Sequence, residues 1–152
     1  MKPRAPTATL IVDANIFLSA LRGRRTLAYL SRAGAVRALV TTAATREEVN
    51  RVLIRLGAGR QDIDAAAALF ELVGVSDESE YGHCENAARA RLVRAPASGD
   101  GSSADAHILA LAWTLEADIW SHDRDFAGTG WASWSSANLV DALTDEDVEQ
   151  DE

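Results

Sequence analysis

Two aspartates each follow a short apolar run. Asp13 ends TATLIV, and Asp123 stands just beyond ADIWSH. An acid directly after a buried strand holds its carboxylate at the rim of a sheet, where like charges resist close approach unless a cation or proton lies between them. In open parallel sheets that rim, at the carboxyl ends of the strands, is where ligands bind. Carboxylate oxygens suit Mg²⁺ or Mn²⁺, and Mg²⁺ bridges one or two carboxylates to phosphate. The chemistry implied is phosphoryl transfer or hydrolysis. Two more acids have ordinary explanations when taken singly. Asp105 opens an apolar helix, where the helix dipole favours an acid by about 0.3–1 kcal/mol. Glu48 closes Thr45-Arg46-Glu47-Glu48, a capping-box pattern in which the glutamate reaches back to the cap N–H. All four at one rim would instead make a hard-cation site.

The surrounding pattern supplies the elements that must position them. Thr7 to Val12 reads as a buried strand, followed by a helix opened by Asn15 and closed by Gly23. A helix over Arg25–Ala33, a strand over Ala35–Thr41 and a helix over Thr45–Leu56 follow, the last with Val49, Val52, Leu53 and Leu56 on one face. An Ala-rich helix spans Asp62–Val73, a short strand Val75–Ser76 and a helix Glu78–Val93. Arg94 to Ser103, rich in Pro, Gly and Ser, reads as a loop, and Ser103 as the cap of the helix ADAHILALAWTLE. Ala117–Trp120 is a strand, WASWSS an edge strand and Asn138–Leu143 a last short helix. Strands alternating with helices imply βαβ units. The fold class is therefore α/β, a three-layer α/β/α sandwich with a mostly parallel central sheet.

The length, 152 residues, suits one domain over residues 1–144, leaving 145–152 as an acidic tail of a kind that is usually disordered. The formal charge of −8 taken whole argues against a polyanionic partner. Resolved along the chain it reads differently: residues 1–60 carry +8, residues 61–124 carry −8 and residues 125–152 carry −8. Exposed arginines Arg22, Arg24 and Arg25 after the first helix, and Arg46, Arg51 and Arg55 along the Glu48 helix, are the expected phosphate-binding surface, though any one of them is also an ordinary solvated side chain. No apolar run approaches the roughly 18–20 residues of a membrane span. The N-terminus lacks a signal-peptide pattern, and the single Cys84 cannot make an internal disulfide, so the expected location is the cytoplasm.

LIVDANIFLSAL, REEVNRVL and above all DAHILALAWTLEADIWSHDRDFAGTGWASWSS resemble the PIN-domain ribonucleases, including the VapC-type toxins, from about Leu10 to Leu143. The resemblance implies a PIN-like fold and a nuclease dependent on Mg²⁺ or Mn²⁺. Residue by residue, Asp13 matches the first-strand acid, Glu48 the helix glutamate, Asp105 the helix-start acid and Asp123 the acid after the penultimate strand. Asp125 matches an additional acid, and Asn15 the small polar residue supporting Asp13. The segment before Asp105 departs from the family pattern, which leaves Asp100 as a competing match. Asp105 is preferred because ILALA follows it in register. Ser121 replaces a more usual threonine and keeps the hydroxyl.

The activity implied is in-line attack of an activated water on an RNA phosphodiester, leaving 5′-phosphate and 3′-hydroxyl ends. Asp13, Asp105 and Asp123 would hold the metal, Glu48 would ligate or act as a base, and Asn15 and Ser121 would orient carboxylates or waters. The same resemblance implies an antitoxin partner and a homodimer. His83, Cys84, His107 and His122 lack paired zinc-ligand spacing. Trp113 and Trp120 read as core. Trp131 and Trp134 could stack on bases, but more commonly such residues pack a core or a dimer contact. Dehalogenase-type phosphatases need an acid where Asn15 stands, and receiver domains need a lysine where the chain has only Lys2. A non-catalytic module binding a partner's basic segment is the remaining alternative.

Overall fold

The computed structural model describes residues 4–95, 104–122 and 126–150. In chain order the elements are β1 (Thr9–Val12), α1 (Ala14–Arg22), α2 (Arg24–Val36), β2 (Ala38–Thr42), α3 (Ala43–Arg55), α4 (Arg60–Glu71), β3 (Gly74–Ser76), α5 (Glu78–Arg94), α6 (Ala106–Leu115), β4 (Asp118–Trp120), β5 (Ser133–Trp134) and α7 (Ser136–Gln150). The strands form one sheet in the order β3-β2-β1-β4-β5, and every pairing is parallel. The chain steps outward from β1 through β2 to β3, then returns to lay β4 on the other side of β1. Strand order therefore reverses between β1 and β4, and a crevice opens at their carboxyl ends.

Strand periodicity divides the core. Leu10, Val12 and Trp120 face α1–α4 and α7, packing with Phe17, Leu30, Val49, Leu53, Phe70 and Leu139. Ile11 and Ile119 face the other way, onto Tyr81, Leu92, Ile108, Leu109 and Phe126. A sheet covered on both faces explains why its central strands are apolar runs rather than alternating ones. On the second face α6 is covered nearly all round, every residue from Ala106 to Ala112 being buried. That is the environment a helix without a polar face requires.

Several boundaries differ from the sequence reading. The second helix runs through Gly34 to Val36, displacing β2 to Ala38–Thr42. Consequently α3 begins at Ala43, and its cap is Thr42, whose Oγ1 accepts from Thr45 N at 2.9 Å. The capping box assigned to Thr45 and Glu48 is thus corrected: Glu48 lies one turn further in and has no cap to serve. The acidic terminus is corrected as well. Residues 145–150 continue α7 as helix, with Glu146 accepting from Arg37 through both oxygens at 2.6 Å and Asp147 pairing with Arg32 at 3.2 Å. Two arginines of the basic half thus answer acids at the end of the chain. Ser103, expected as the α6 cap, lies outside the described residues.

Candidate functional site

Asp13 stands where β1 meets α1, 3% exposed, and caps that helix. Its Oδ1 accepts from Ala14 N at 2.7 Å, while Oδ2 accepts from Ser121 Oγ at 2.9 Å and from Asn15 Nδ2 at 3.4 Å. Asn15 Nδ2 also donates to Ser121 Oγ at 3.1 Å, and its Oδ1 accepts from His122 N at 3.1 Å. Asp13 N continues the β1–β4 ladder by donating to Trp120 O at 3.0 Å. The two strand ends flanking the crevice are thus laced together through Asp13, Asn15 and Ser121, which fixes the direction of the carboxylate.

Glu48 and Asp105 reach the same region of chemistry from two helices. Asp105 occupies the N-cap position of α6 but makes no side-chain capping bond, so helix capping does not account for it. Ligand atoms of Glu48, Asp105 and His107 all lie within 4.8 Å of one another. Burial pushes the Glu48 carboxyl above the usual carboxylate range, and the Arg51 guanidinium one turn on partly counters this. His107 is 8% exposed, and its burial lowers the imidazole to about 4, so the ring is neutral near pH 7. Its Nδ1 lies 2.9 Å from Thr42 Oγ1, the atom that caps α3. The contact ties α6 to the start of the helix carrying Glu48.

The structure therefore brings Glu48 and Asp105 together, and sets Asn15 and Ser121 on Asp13. Asp13 is not a member of the Glu48–Asp105–His107 group. Asp123 and Asp125, like the competing Asp100, lie outside the described residues. Arg22, Arg24, Arg25, Arg46 and Arg51 are all exposed, and Arg51 is the one whose charge reaches Glu48. The sequence reading missed the place of His107 beside the acids. The signal available was its position inside the run AHILALA, because an imidazole buried in an otherwise apolar helix requires a polar partner. Trp131 and Trp134 are committed elsewhere, their indole N–H groups donating to Ala117 O at 2.7 Å and Asp118 Oδ2 at 2.9 Å. A cavity of about 520 Å³ lined by Phe17, Leu27, Leu30, Leu39, Leu69 and Leu72 is apolar and contains none of the acids.

Two carboxylates and an imidazole thus offer oxygen and nitrogen ligand atoms close together, beside the carboxyl end of β2. Residues 11–144 match the PIN domain family. The chain belongs to that family. Among curated proteins no relative matches the sequence. The solved structures that resemble this PIN domain include VapBC2 from Rickettsia felis bound to a DNA fragment from its promoter, with TM-score 0.68, 11% identity and coverage of 84% of this chain and 98% of that one. The sarcin-ricin loop cleaving toxin VapC20 of Mycobacterium tuberculosis superposes with TM-score 0.59 at 24% identity, over 81% of this chain and 96% of its own. FitAcB from Neisseria gonorrhoeae gives 0.64 at 17%, over 86% and 99%. These likenesses establish a VapC-like PIN fold, as the sequence resemblance implied. No helix among the described residues is long and apolar enough to cross a membrane.

Proposed function

We propose that this PIN domain is a metal-dependent endoribonuclease that hydrolyses RNA phosphodiester bonds, and that it is the toxin of a toxin–antitoxin pair in the cytoplasm. The observation that carries the reading is the approach of Glu48 and Asp105 within 4.8 Å, together with a fixed Asp13 at the point where strand order reverses. Carboxylates held this close favour a cation between them. Asp13, Asp105 and Asp123 are the proposed metal-holding acids, Glu48 a further ligand or the base that accepts the water's proton, and Asp125 an additional acid beside them. When bound, Mg²⁺ or Mn²⁺ supplies charge neutralisation at the phosphate and a more acidic water.

The remaining work falls to the chain. Ser121 and Asn15 hold the Asp13 carboxylate in one orientation by the hydrogen bonds described above. The neutral His107 adds no positive charge that would compete for the acids. Arg22, Arg24, Arg25, Arg46 and Arg51 would hold the RNA backbone by charge and bidentate hydrogen bonds. The antitoxin partner is supported by the likeness to VapBC2 and FitAcB, and the homodimer is proposed from the family resemblance alone. The reading is tested by incubating the protein with RNA and Mg²⁺ or Mn²⁺, beside Asp13→Asn and Asp105→Asn. Cleavage should require the metal and collapse in both variants. Activity that survives EDTA, or persists undiminished in both, would overturn it in favour of a non-catalytic module.

A further inference from the structure

We propose that His107 is itself a metal ligand, its Nε2 joining Glu48 and Asp105 in a mixed nitrogen and oxygen set that favours transition-metal ions over Mg²⁺. The inference deepens the metal-dependent reading above and rests on it. Three observations carry it. One ligand atom from each of the three side chains lies within 4.8 Å of the others, so a contraction of a few tenths of an ångström reaches the roughly 4.4 Å that two ligands about 2.0–2.2 Å from one ion can span. The helix that carries His107 is otherwise apolar at every buried position from Ala106 to Ala112, so this imidazole is the nitrogen ligand that α6 brings beside the two acids. Finally, the other ring nitrogen is already held. Thr42 Oγ1 accepts from Thr45 N at 2.9 Å and lies 2.8 Å from Thr45 Oγ1 and 2.9 Å from His107 Nδ1. A hydroxyl has one proton and two lone pairs. Two networks satisfy these distances; in the one inferred here Thr42 gives its proton to Thr45 Oγ1 and accepts from Nδ1–H, and Nε2 keeps its lone pair for a cation. Metal-ligating histidines are oriented in this manner, by donating the second N–H to a fixed acceptor.

The consequence is a preference. An all-oxygen set suits Mg²⁺ and Mn²⁺, whereas an imidazole raises affinity for later first-row ions. Mn²⁺ is added alone to the full chain without RNA, and pulsed electron paramagnetic resonance reads nitrogen coupling to the ion. Coupling is expected in the wild-type protein, should persist in the H83Q/H122Q double variant, whose sole histidine is His107, and should vanish in His107→Gln with Mn²⁺ still bound. Calorimetry should show that the advantage of Co²⁺ over Mg²⁺ shrinks by about tenfold or more in His107→Gln, and that Thr42→Val weakens Co²⁺ binding by about 10–100-fold. Bound Mn²⁺ without nitrogen coupling in the wild-type protein overturns the inference, as does loss of the coupling in H83Q/H122Q. Because the wild-type and double-variant spectra suffice, the test survives a misfolded His107→Gln. RNA cleavage with Mg²⁺, measured in parallel, decides the nuclease reading separately: cleavage without nitrogen coupling removes the histidine ligand and leaves the nuclease.

Discussion

The two ends of the sheet treat buried acid differently. At the amino end of β4, Asp118 is 1% exposed and receives Arg4 Nη2 at 2.7 Å, Trp134 Nε1 at 2.9 Å and Thr7 N at 3.2 Å. A guanidinium answers its charge, and the contacts tie the N-terminal segment and the β5 edge to the centre. At the carboxyl end, Asp13 accepts from Ala14 N and Ser121 Oγ, while Glu48 and Asp105 approach each other beside a neutral histidine. The first arrangement is complete within the protein and serves the fold. The second brings two carboxylates and an imidazole within 4.8 Å of one another, the arrangement on which the proposed metal site rests. Both ends bury acid, and the described contacts of that acid differ.

The largest effect that could break this contrast comes from exchanging the two kinds of acid. Asp105→Asn should lower RNA cleavage by on the order of 100-fold or more while leaving the urea midpoint of the metal-free protein unchanged or raised, since it relieves repulsion with Glu48. Asp118→Asn should do the reverse, costing about 1–3 kcal/mol of stability because a buried charged hydrogen-bond network loses an acceptor, with cleavage per folded molecule retained. A stable, inactive Asp118→Asn would overturn the assignment of the two ends.

Next in size is the pH dependence of His107. Its imidazole falls from 6.5 to about 4 on folding, so the unfolded chain binds the proton more readily between those values. The associated stability is fully present above pH 6.5 and is lost as pH falls through that window, by about 2 kcal/mol between pH 7 and pH 5. Glu48 has the opposite sign, because burial raises its carboxyl and favours the protonated folded state at low pH. Denaturant midpoints of wild type and His107→Gln at pH 7 and 5 isolate the histidine, whose loss should flatten the acid side of the profile. Ser121→Ala removes one hydrogen bond from Asp13 and should weaken Mn²⁺ binding or cleavage by about tenfold, with little change in thermal midpoint. The smallest effect belongs to Arg51→Gln. It should reduce the slope of log affinity for single-stranded RNA against log salt by about 0.7 if Arg51 meets one phosphate, and shift the Glu48 carboxyl further upward.

Much of this contrast was legible in the residues. TATLIVD marked a strand ending in acid because an apolar run of that length is buried, and Asp13 does follow β1 directly; Asp123, expected likewise after ADIWSH, lies outside the described residues. Asn15 and Ser121 were expected as companions of Asp13 from the family resemblance, the first two residues on and the second just after the neighbouring strand. The Glu48 environment was not. The expectation of a capping box at Glu48 depended on where α3 begins, and that depended on α2 continuing through Gly34, a residue with low helix propensity. Nor did the terminal charge run disclose its order. Asp145, Glu146 and Asp147 carry the composition of a disordered tail, yet Leu139 and Leu143 anchor α7 in the core and bring Glu146 to Arg37.

The sequence by itself determined the α/β layering and that Asp13 stands at the carboxyl end of β1, because strand length, hydrophobic alternation and the position of an acid after a strand are local properties of the chain. It also determined that net charge is a poor guide here, since the basic and acidic residues are segregated along its length. Only the tertiary structure decided that Glu48 meets Asp105 and His107, that Thr42 holds the histidine and caps α3 with the same oxygen, and that Asp118 is answered by Arg4. These are contacts between residues far apart in the chain. Their distances depend on how two helices and five strands pack, and spacing along the sequence does not encode that geometry.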